Sequence, residues 1–381
     1  MSEQKKILNY NTLPEMFFKQ VKENSFKPLL WFKKNNKYCS LTWKNIENKI
    51  KKVSLEIKKI GLKNGDKVLI VSENNPNWFI ADFAIMASGC ITVPAYTTYT
   101  KKDFEYIIDD SEAKLAFISN QNLFNNFIQA AKNKKKLKNI ITFKKINYKK
   151  KKKKVIYVEE IYKSKNSSKF KINKKNKNDD ACIIYTSGTS GKPKGVVLTH
   201  KSIISNLIGS IDVFKSSPLK NERFISFLPL SHAYEHTAGQ FLPVAVAAQI
   251  FYAESLEKLF TNLKEVNPTI ISAVPRLYET IYKKILNVPG DIVECGVFKG
   301  ISLIRFLTYR SILENNYSRK VYGFDSFGKF PSAESPDDKE FIKRWENSAG
   351  DGISKDELNK ILLEKKFEII QNKDSNINTS D

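Results

Sequence analysis

Apolar residues in the first hundred positions recur at two spacings, one helical and one typical of buried strands. A run at intervals of three and four predicts an amphipathic helix through Ile46, Ile50, Val53, Ile57 and Ile60. Thr42 is placed to cap the start of this helix and Gly61 to end it. The runs 67–71 and 91–94 have the composition of strands, and they flank a mostly apolar helix at 76–88. Because a strand–helix–strand order produces parallel strands, the pattern predicts an α/β fold.

A further apolar run predicts a short buried strand at 181–184, which leads into a stretch rich in glycine, hydroxyl groups and lysine. Glycine lets backbone N–H groups approach a ligand, and successive amides with Ser, Thr and Lys form a concavity that binds anions. The stretch is not a Walker loop, because Gly188 and Gly191 lie too close together for that pattern. We therefore predict a phosphate-binding loop in preference to a solvated Ser/Gly turn. The candidate phosphate-binding residues are Thr186, Ser187, Gly188, Thr189, Ser190, Gly191, Lys192 and Lys194.

Residues 185–195 read YTSGTSGKPKG and closely resemble the signature loop of the adenylate-forming acyl- and aryl-CoA synthetases, written YTSGTTGxPKGV. A second stretch, 227–240, resembles the motif LPLSHxxExTxGQ of the long-chain acyl-CoA synthetases, and the likeness extends over roughly residues 13–286. The resemblance implies ATP, Mg²⁺ and CoA as cofactors and co-substrates, and a fatty acid or similar carboxylate as substrate. It also implies that His232, the candidate catalytic residue, lies near the acyl group and the bound nucleotide.

Past residue 286 the resemblance to the synthetases ends. The family's Tyr-Gly-x-Thr-Glu motif, which holds Mg²⁺, has no counterpart in the residues that follow, nor do its ribose-binding Asp and the domain with its catalytic lysine. The sequence therefore predicts an incomplete synthetase unit. Away from His232, we interpret His200 and His236 as structural residues, although the family often has Arg at the latter position.

A different pattern follows at 291–325. A strand at 291–295 leads to the turn GVFKG, which opens a helix to about residue 314, and a second strand at 321–324 ends in an acid. This order places a nucleotide-like ligand at the carboxyl edge of a sheet. The segments VPGDIVECGVFKG and VYGFDSFGKFP resemble the macrocin O-methyltransferase-like family, which uses S-adenosylmethionine and often a divalent metal. By that resemblance the cofactor-binding candidates are Glu294, Gly296, Gly300 and Asp325.

Charge modifies this picture mainly in one segment. The 381-residue chain carries 64 Lys and Arg against 40 Asp and Glu, a formal net charge of +24, and lysine and asparagine dominate residues 132–177. A polybasic patch for acidic lipid headgroups or RNA is one interpretation of this segment, and a lysine-rich surface insertion is the one that we favour. Because no stacking pattern of aromatic residues accompanies the lysines, the sequence predicts no specific nucleic-acid partner.

Cysteine spacing and hydropathy bear on location. The four cysteines show no CxxC pair and no Cys/His metal spacing, so no metal ligands are predicted and a reducing cytoplasm is expected. The first residues lack the apolar region of a signal peptide, and no run approaches the roughly 18 consecutive apolar residues of a membrane span. We expect a cytoplasmic protein, with peripheral contact to a membrane left open. The sequence does not indicate an oligomeric state.

Together these patterns predict an α/β protein of two units. Residues 1–286 are expected to form an incomplete N-terminal domain of the adenylate-forming enzyme fold, and residues 287–381 a partial Rossmann-like unit of class I methyltransferase type. The leading hypothesis is an acyl-CoA synthetase-like protein, a fatty acid–CoA ligase in type. It would bind ATP phosphates for carboxylate adenylation, but would be incomplete or inactive as it stands. One alternative is an S-adenosylmethionine-dependent O-methyltransferase-like protein, and the other is a mis-joined or truncated chimera without function.

Overall fold

The protein divides into two compact units, Met1–Ser272 and Ala273–Asp381. The computed structural model describes residues 10–149, 152–164, 170–186, 192–213, 221–274, 292–295, 304, 307, 321–324 and 354–364. The predicted boundary at 286/287 lies outside the described residues, and it stays a prediction.

Helices and strands alternate through most of the first unit. Its helices are α1 (Leu13–Asn24), α2 (Trp43–Ile60), α3 (Pro76–Ala87), α4 (Lys101–Ser111), α5 (Gln121–Ala131), α6 (Val158–Lys163), α7 (His200–Val213), α8 (Ala233–Glu235), α9 (Leu242–Ala245) and α10 (Leu259–Val266). A π-helix, His236–Phe241, lies between α8 and α9. Its strands are β1 (Pro28–Lys34), β2 (Lys37–Thr42), β3 (Lys67–Val71), β4 (Ile91–Ala95), β5 (Leu115–Ile118), β6 (Asn139–Thr142), β7 (Lys154–Tyr157), β8 (Asp180–Thr186), β9 (Lys194–Thr199), β10 (Arg223–Ser226), β11 (Gln249–Tyr252) and β12 (Ile270–Ile271).

These strands form two sheets. The larger is seven-stranded, in the order β7-β6-β5-β3-β4-β8-β9, and the smaller is five-stranded, in the order β12-β10-β11-β1-β2. Neighbouring strands run parallel, except for the β8–β9 and β1–β2 pairs, which are antiparallel. Because parallel strands end at the same edge, each sheet has a carboxyl edge, where ligands bind in open α/β sheets, and an opposite amino edge.

The helix and strands predicted near the start of the chain are confirmed. Thr42 caps α2 and forms a capping box with Asn45, while Gly61, at φ 98°, ends the helix. The strands β3 and β4 pair in parallel from Lys67 opposite Ile91, with α3 between them in the chain. These elements form where the sequence places them because their caps and apolar spacing act locally.

The seven-stranded sheet is covered on both faces. Val68 and Ile70 face a core that also contains apolar residues of α1, α2, α3, α7 and the five-stranded sheet. Leu69 and Val71 face a second core, built with α4 and α5. Alternate residues of one strand thus enter opposite cores, which explains why β3 is an unbroken apolar run rather than an alternating one.

The lysine-rich segment 132–177 differs from the prediction of a surface insertion. It contains β6, β7 and α6, and both strands extend the seven-stranded sheet in parallel. Ile140 and Ile141 are fully buried, and Val158 and Ile161 of α6 are also buried. Lysines dominate the composition averaged over this segment. The short apolar runs that form its strands are therefore not evident from that average.

In the second unit, β13 (Ile292–Cys295) pairs in parallel with β14 (Val321–Phe324), and α11 spans Lys355–Glu364. Both predicted strands and their parallel pairing are therefore confirmed. The predicted helix between them and its glycine turn lie outside the described residues. In the part of the chain that the structure describes, no helix is long and apolar enough to cross a membrane.

Candidate functional site

The predicted phosphate-binding stretch lies at the tip of a hairpin. The strands β8 and β9 pair so that Thr186 lies directly opposite Lys194, and residues 187–193 connect them. Thr186, Lys192 and Lys194 are exposed, so their hydroxyl and ammonium groups are available to a ligand. The other candidates, Ser187, Gly188, Thr189, Ser190 and Gly191, lie outside the described residues.

Helix α4 holds the base of this hairpin. The Tyr185 hydroxyl donates to Asp110 Oδ2 at 2.5 Å, and the Tyr106 hydroxyl donates to the Pro193 carbonyl oxygen at 3.0 Å. Burial, followed by the hydrogen bond to Asp110, raises the pKa of Tyr185, so the phenol keeps its proton as a donor. Glycine is needed at position 195, because a Cβ there would lie 2.9 Å from Ile183 Cγ2 and 3.2 Å from Tyr185 Cζ. The hairpin base is thereby fixed on both sides of the loop.

His232 follows β10 and caps the short helix α8. Its Nδ1 accepts a hydrogen bond from the Tyr234 backbone N–H at 3.2 Å, and the residue is exposed. A neutral imidazole whose Nδ1 accepts must carry its proton on Nε2. His232 therefore presents Nε2–H as a donor at the surface of this loop.

Asn74, three residues beyond the end of β3, holds the loop that leads to His232 by hydrogen bonds of its side chain. Its amide nitrogen donates to Ser226 Oγ at 3.0 Å and to the Leu228 carbonyl oxygen at 2.7 Å, and its Oδ1 accepts from the Leu230 N–H at 3.0 Å. The Asn74 side chain thus forms hydrogen bonds with three residues of this strand end and loop. No role is predicted for Asn74 from the sequence, because a single asparagine follows no spacing rule, although it lies in a segment that resembles the synthetase pattern.

The hydrogen bonds of Asn74 place the two sequence motifs, 185–195 and 227–240, at one edge of the seven-stranded sheet. Asn74 follows β3 and Thr186 ends β8, and β4 is the strand between these two parallel neighbours. Adjacent strands lie about 4.8 Å apart, so the carboxyl ends of β3 and β8 are separated by roughly 10 Å. The loop that carries His232, bound to Asn74, therefore lies on the same carboxyl edge as the β8–β9 hairpin.

A cavity of about 560 Å³ opens beside Asn74. Part of its lining comes from residues that follow β3, β5 and β11, and this part includes Glu73, Ser119, Asn120 and Glu254. The Glu73 carboxylate accepts from Ser119 Oγ at 2.5 Å and from Asn120 Nδ2 at 2.7 Å. Apolar side chains, among them Phe32, Leu41 and Phe143, line the cavity together with these polar groups.

A buried polar group lies under the His232 loop. Asp82 is fully buried in the mostly apolar helix α3, and its Oδ2 contacts His236 Nε2 at 2.9 Å and accepts from Gln240 Nε2 at 2.7 Å. His236 and Gln240 both belong to the π-helix, a form that often marks functional segments. The Asp82 carboxylate therefore anchors the element that directly follows His232 and α8.

Glu235 is the second buried carboxyl of this group. Its Oε1 accepts from Ser226 Oγ at 2.7 Å, and Ser226 in turn accepts from Asn74. A Cβ on Gly239 would lie 2.3 Å from Glu235 Oε1, so only glycine leaves room for the carboxyl group. Burial raises the pKa of Glu235 to about 8, with the Ser226 hydrogen bond acting in the opposite direction. Near neutral pH Glu235 is mainly a neutral carboxylic acid.

His200 is a buried residue away from both motifs. Its Nδ1 accepts from the Leu13 backbone N–H at 3.4 Å, and burial lowers its pKa to about 4, with Lys175 adding to the effect. The ring is therefore neutral at physiological pH and contributes a hydrogen bond between α7 and α1.

The residues that the structure describes contain no group of three or more His, Cys, Asp or Glu side chains that could hold a metal ion. In the second unit, Glu294 lies in β13, while the other cofactor candidates, Gly296, Gly300 and Asp325, lie outside the described residues.

The hairpin, the His232 loop and the two sheets agree with a known enzyme family. The family of AMP-binding enzymes matches residues 17–302. The chain belongs to the AMP-binding enzyme family.

Relatives of this AMP-binding protein include plant and animal synthetases. It is 30% identical over 258 residues to long chain acyl-CoA synthetase 3 of Arabidopsis thaliana, an alignment that covers 65% of this chain and 39% of the relative. It is 29% identical over 301 residues to the long-chain-fatty-acid–CoA ligase ACSBG2 of Gallus gallus, covering 73% of this chain and 38% of the relative. The chain thus spans about two fifths of the length of these curated relatives.

Solved structures show the same fold. A fatty acyl-adenylate ligase from L. pneumophila, in complex with acyl adenylate and pyrophosphate, matches with a TM-score of 0.59 at 18% identity, covering 83% of this chain and 55% of that one. A benzoate CoA ligase from Burkholderia xenovorans LB400 matches with a TM-score of 0.60 at 21% identity, covering 75% and 56%. The AMP-binding unit therefore has the N-terminal architecture of adenylate-forming ligases.

A second family, macrocin-O-methyltransferase (TylF), matches residues 272–371. This match agrees with the resemblance of the second unit, and it shares residues 272–302 with the AMP-binding match.

Proposed function

We propose that the first unit binds ATP for the adenylation of a fatty acid or similar carboxylate, with CoA as the acceptor of the acyl group. The observation that carries this proposal is the signature stretch at the tip of the β8–β9 hairpin, on the same carboxyl edge as the His232 loop. The names of the relatives support the substrate class, because both are synthetases or ligases for long-chain fatty acids.

In the proposed reaction a carboxylate oxygen attacks the α-phosphorus of ATP, and the bond to the pyrophosphate group breaks. Thr186, Lys192 and Lys194 would hold the β- and γ-phosphates, together with the amides and hydroxyls of residues 187–191. Donors that are already in place stabilise the charge that builds on the departing pyrophosphate. Their positions are maintained by the contacts of Tyr185 and Tyr106 with the hairpin base.

His232 would orient the acyl substrate. Its Nε2–H is a donor for a carboxylate oxygen, and Asn74 keeps the loop that bears it in one conformation. Mg²⁺ is typical of such chemistry, where it neutralises phosphate charge. Because no metal-ligating cluster is found among the described residues, we derive no step through the ion.

Lys194→Ala is expected to weaken ATP binding by about 1.5–3 kcal/mol, since a charge-assisted hydrogen bond to phosphate is lost. Isothermal titration of the full chain with ATP measures this directly, and fatty-acid-dependent ATP–pyrophosphate exchange tests the chemistry. Lys201→Ala is the matched control, because Lys201 is exposed at the start of α7, outside the hairpin. If the Lys194 variant binds ATP as tightly as the control, the hairpin is not the phosphate site.

We infer S-adenosylmethionine binding as a second function, in the second unit. The parallel pairing of β13 and β14, from Ile292 opposite Val321 to Cys295 opposite Phe324, supports it, as does the TylF match. Glu294, Gly296, Gly300 and Asp325 would contact the cofactor, with Asp325 accepting from the ribose hydroxyls.

Asp325→Ala is expected to abolish micromolar binding of S-adenosylmethionine, because the ribose hydroxyls lose their acceptor. Titration calorimetry with the full chain measures the affinity, and Asp356→Ala in the exposed first turn of α11 is the control. Absence of binding to the folded wild-type protein would rule out this second function without touching the first.

A further inference from the structure

The amino edge of the seven-stranded sheet, opposite the candidate site, carries a row of lysines. Each of four adjacent parallel strands has a lysine at its start. The strand β7 begins at Lys154 and β3 begins at Lys67, while β6 and β5 directly follow Lys138 and Lys114. Backbone hydrogen bonds of 3.0 Å link Lys154 N to Lys138 O and Lys114 N to Lys67 O. With strands about 4.8 Å apart, the four residues form a continuous line across the edge.

A buried lysine joins two lysine-rich turns at this edge. The Lys153 ammonium group donates to the Lys134 and Leu137 carbonyl oxygens, both at 2.6 Å, and Lys153 is only 8% exposed. The turn at 132–138 and the turn at 152–154 are therefore held side by side. The lysines around them form an ordered surface, which we call the amino-edge patch: Lys67, Lys114, Lys134, Lys135, Lys136, Lys138, Lys152 and Lys154.

The patch keeps a positive excess after its ion pairs are counted. Three carboxylates are paired with it, in the contacts Asp66–Lys114, Asp109–Lys134 and Glu112–Lys136. The pKa of Glu112 is lowered, first by its hydrogen bond from Lys136 and then by the positive charges of Lys136, Lys67 and Lys114. Four exposed lysines have no carboxylate within salt-bridge distance among the residues that the structure describes: Lys135, Lys138, Lys152 and Lys154.

A hollow of about 480 Å³ lies within the patch. Four lysine side chains line the hollow: Lys114, Lys135, Lys136 and Lys138. The apolar residues Ile60, at the end of α2, and Leu62, which follows α2, also line it. Clustered ammonium groups around an open concavity attract phosphate groups.

We propose that the amino-edge patch docks the protein on an anionic membrane surface, with lipid headgroup phosphates entering the lysine-lined hollow. The row of ammonium groups along one sheet edge matches a surface of negative charge. RNA fits less well, because recognition of single strands uses stacking aromatics and arginine, and the patch consists of lysines. The aromatics nearby are engaged: Phe143 is buried and Tyr148 packs on Phe124 at 5.2 Å between ring centroids.

Docking at this edge leaves the carboxyl edge uncovered. The strands whose first residues lie at the patch have their last residues at the opposite edge. Asn74 and the β8–β9 hairpin lie at that opposite edge. The proposal does not depend on the adenylation chemistry, and it holds or fails separately.

Co-sedimentation of the full chain with phosphatidylcholine vesicles, with and without phosphatidylserine, tests the proposal at physiological salt. Wild-type protein is expected to bind the anionic vesicles only. Replacing Lys135, Lys138, Lys152 and Lys154 together by serine is expected to weaken binding at least about tenfold, since each lysine near an anionic surface contributes roughly fivefold. Arginine at the same four positions keeps the charge, and it is expected to restore binding.

The matched control removes the same charge from exposed lysines elsewhere in the first unit: Lys22, Lys27, Lys37 and Lys264. Equal losses in the two serine variants would overturn the proposal, because net charge and not the patch would then govern binding. Equal binding to neutral vesicles, or preference for a single-stranded RNA in competition, would also overturn it. Displacement by inorganic phosphate at constant ionic strength would instead identify the hollow as a site for free phosphate. Circular dichroism verifies that each variant is folded.

Discussion

Replacing Asp82 by alanine is expected to lower the free energy of unfolding of the first unit by about 3–5 kcal/mol. The substitution leaves His236 Nε2 and Gln240 Nε2 buried without the oxygen that both now contact. A buried donor that loses its partner keeps its full desolvation cost, and here two donors lose it together. Urea denaturation measures the change, with tryptophan fluorescence as the signal, because Trp78 lies 5.1 Å from the His236 ring.

Asp82→Asn is the matched control for this prediction. Asparagine has nearly the same shape, and its one carbonyl oxygen can take the place of Oδ2 and accept from both donors, but it lacks the charge that strengthens these hydrogen bonds. We expect its stability to fall between those of the wild type and the alanine variant. Equal stability of the alanine variant and the wild type would show that Asp82 does not anchor the π-helix.

Glu235→Gln is expected to remove a large pH dependence of stability. The pKa of Glu235 is about 8 in the folded protein and 4.5 as an ordinary value, so the folded state holds a proton that the unfolded chain releases between these limits. Stability from this group is therefore complete below about pH 4.5 and is lost as pH rises through 8. The total is on the order of 5 kcal/mol, of which about 2 kcal/mol falls between pH 6.5 and 8.

His200 acts in the opposite direction at lower pH. Its pKa is about 4 in the folded protein against an ordinary 6.5, so its contribution is lost as pH falls through that window. The effect of Glu235 is therefore isolated above pH 6.5. Free energies of unfolding at pH 6.5 and 8, for the wild type and the glutamine variant, give the comparison. A wild-type slope that persists in the glutamine variant would assign the pH dependence to another group.

Both carboxyl groups bear on the proposed chemistry through the loop above them. Ser226 links Glu235 to Asn74, and Asn74 holds the loop that carries His232. Asp82 anchors the π-helix that begins four residues after His232. The position of the candidate catalytic imidazole thus depends on buried polar contacts that do not touch a ligand.

The elements of the fold that the sequence predicted well are those with local causes. The caps Thr42 and Gly61 bound α2, and the apolar runs of β3 and β4 form parallel strands, because periodicity and capping act between residues near in the chain. The candidate phosphate-binding stretch could be predicted for the same reason, since its residues are contiguous. The lysine-rich segment was predicted to be a surface insertion because its overall composition is dominated by lysine. That average does not reveal the short apolar runs that form β6 and β7.

The sequence by itself determined the family and the α/β class, because the motifs and apolar runs that indicate them are short and continuous. The phosphate-binding role of the stretch between β8 and β9 stays a prediction from such a motif. The tertiary structure alone decided which distant side chains meet. Asn74 reaches Leu230 across 156 positions, and Asp82 reaches His236 across 154. It also aligned lysines from separate segments along one sheet edge. Such contacts exist only after the parallel strands have assembled, since their register brings residues together that no local spacing relates.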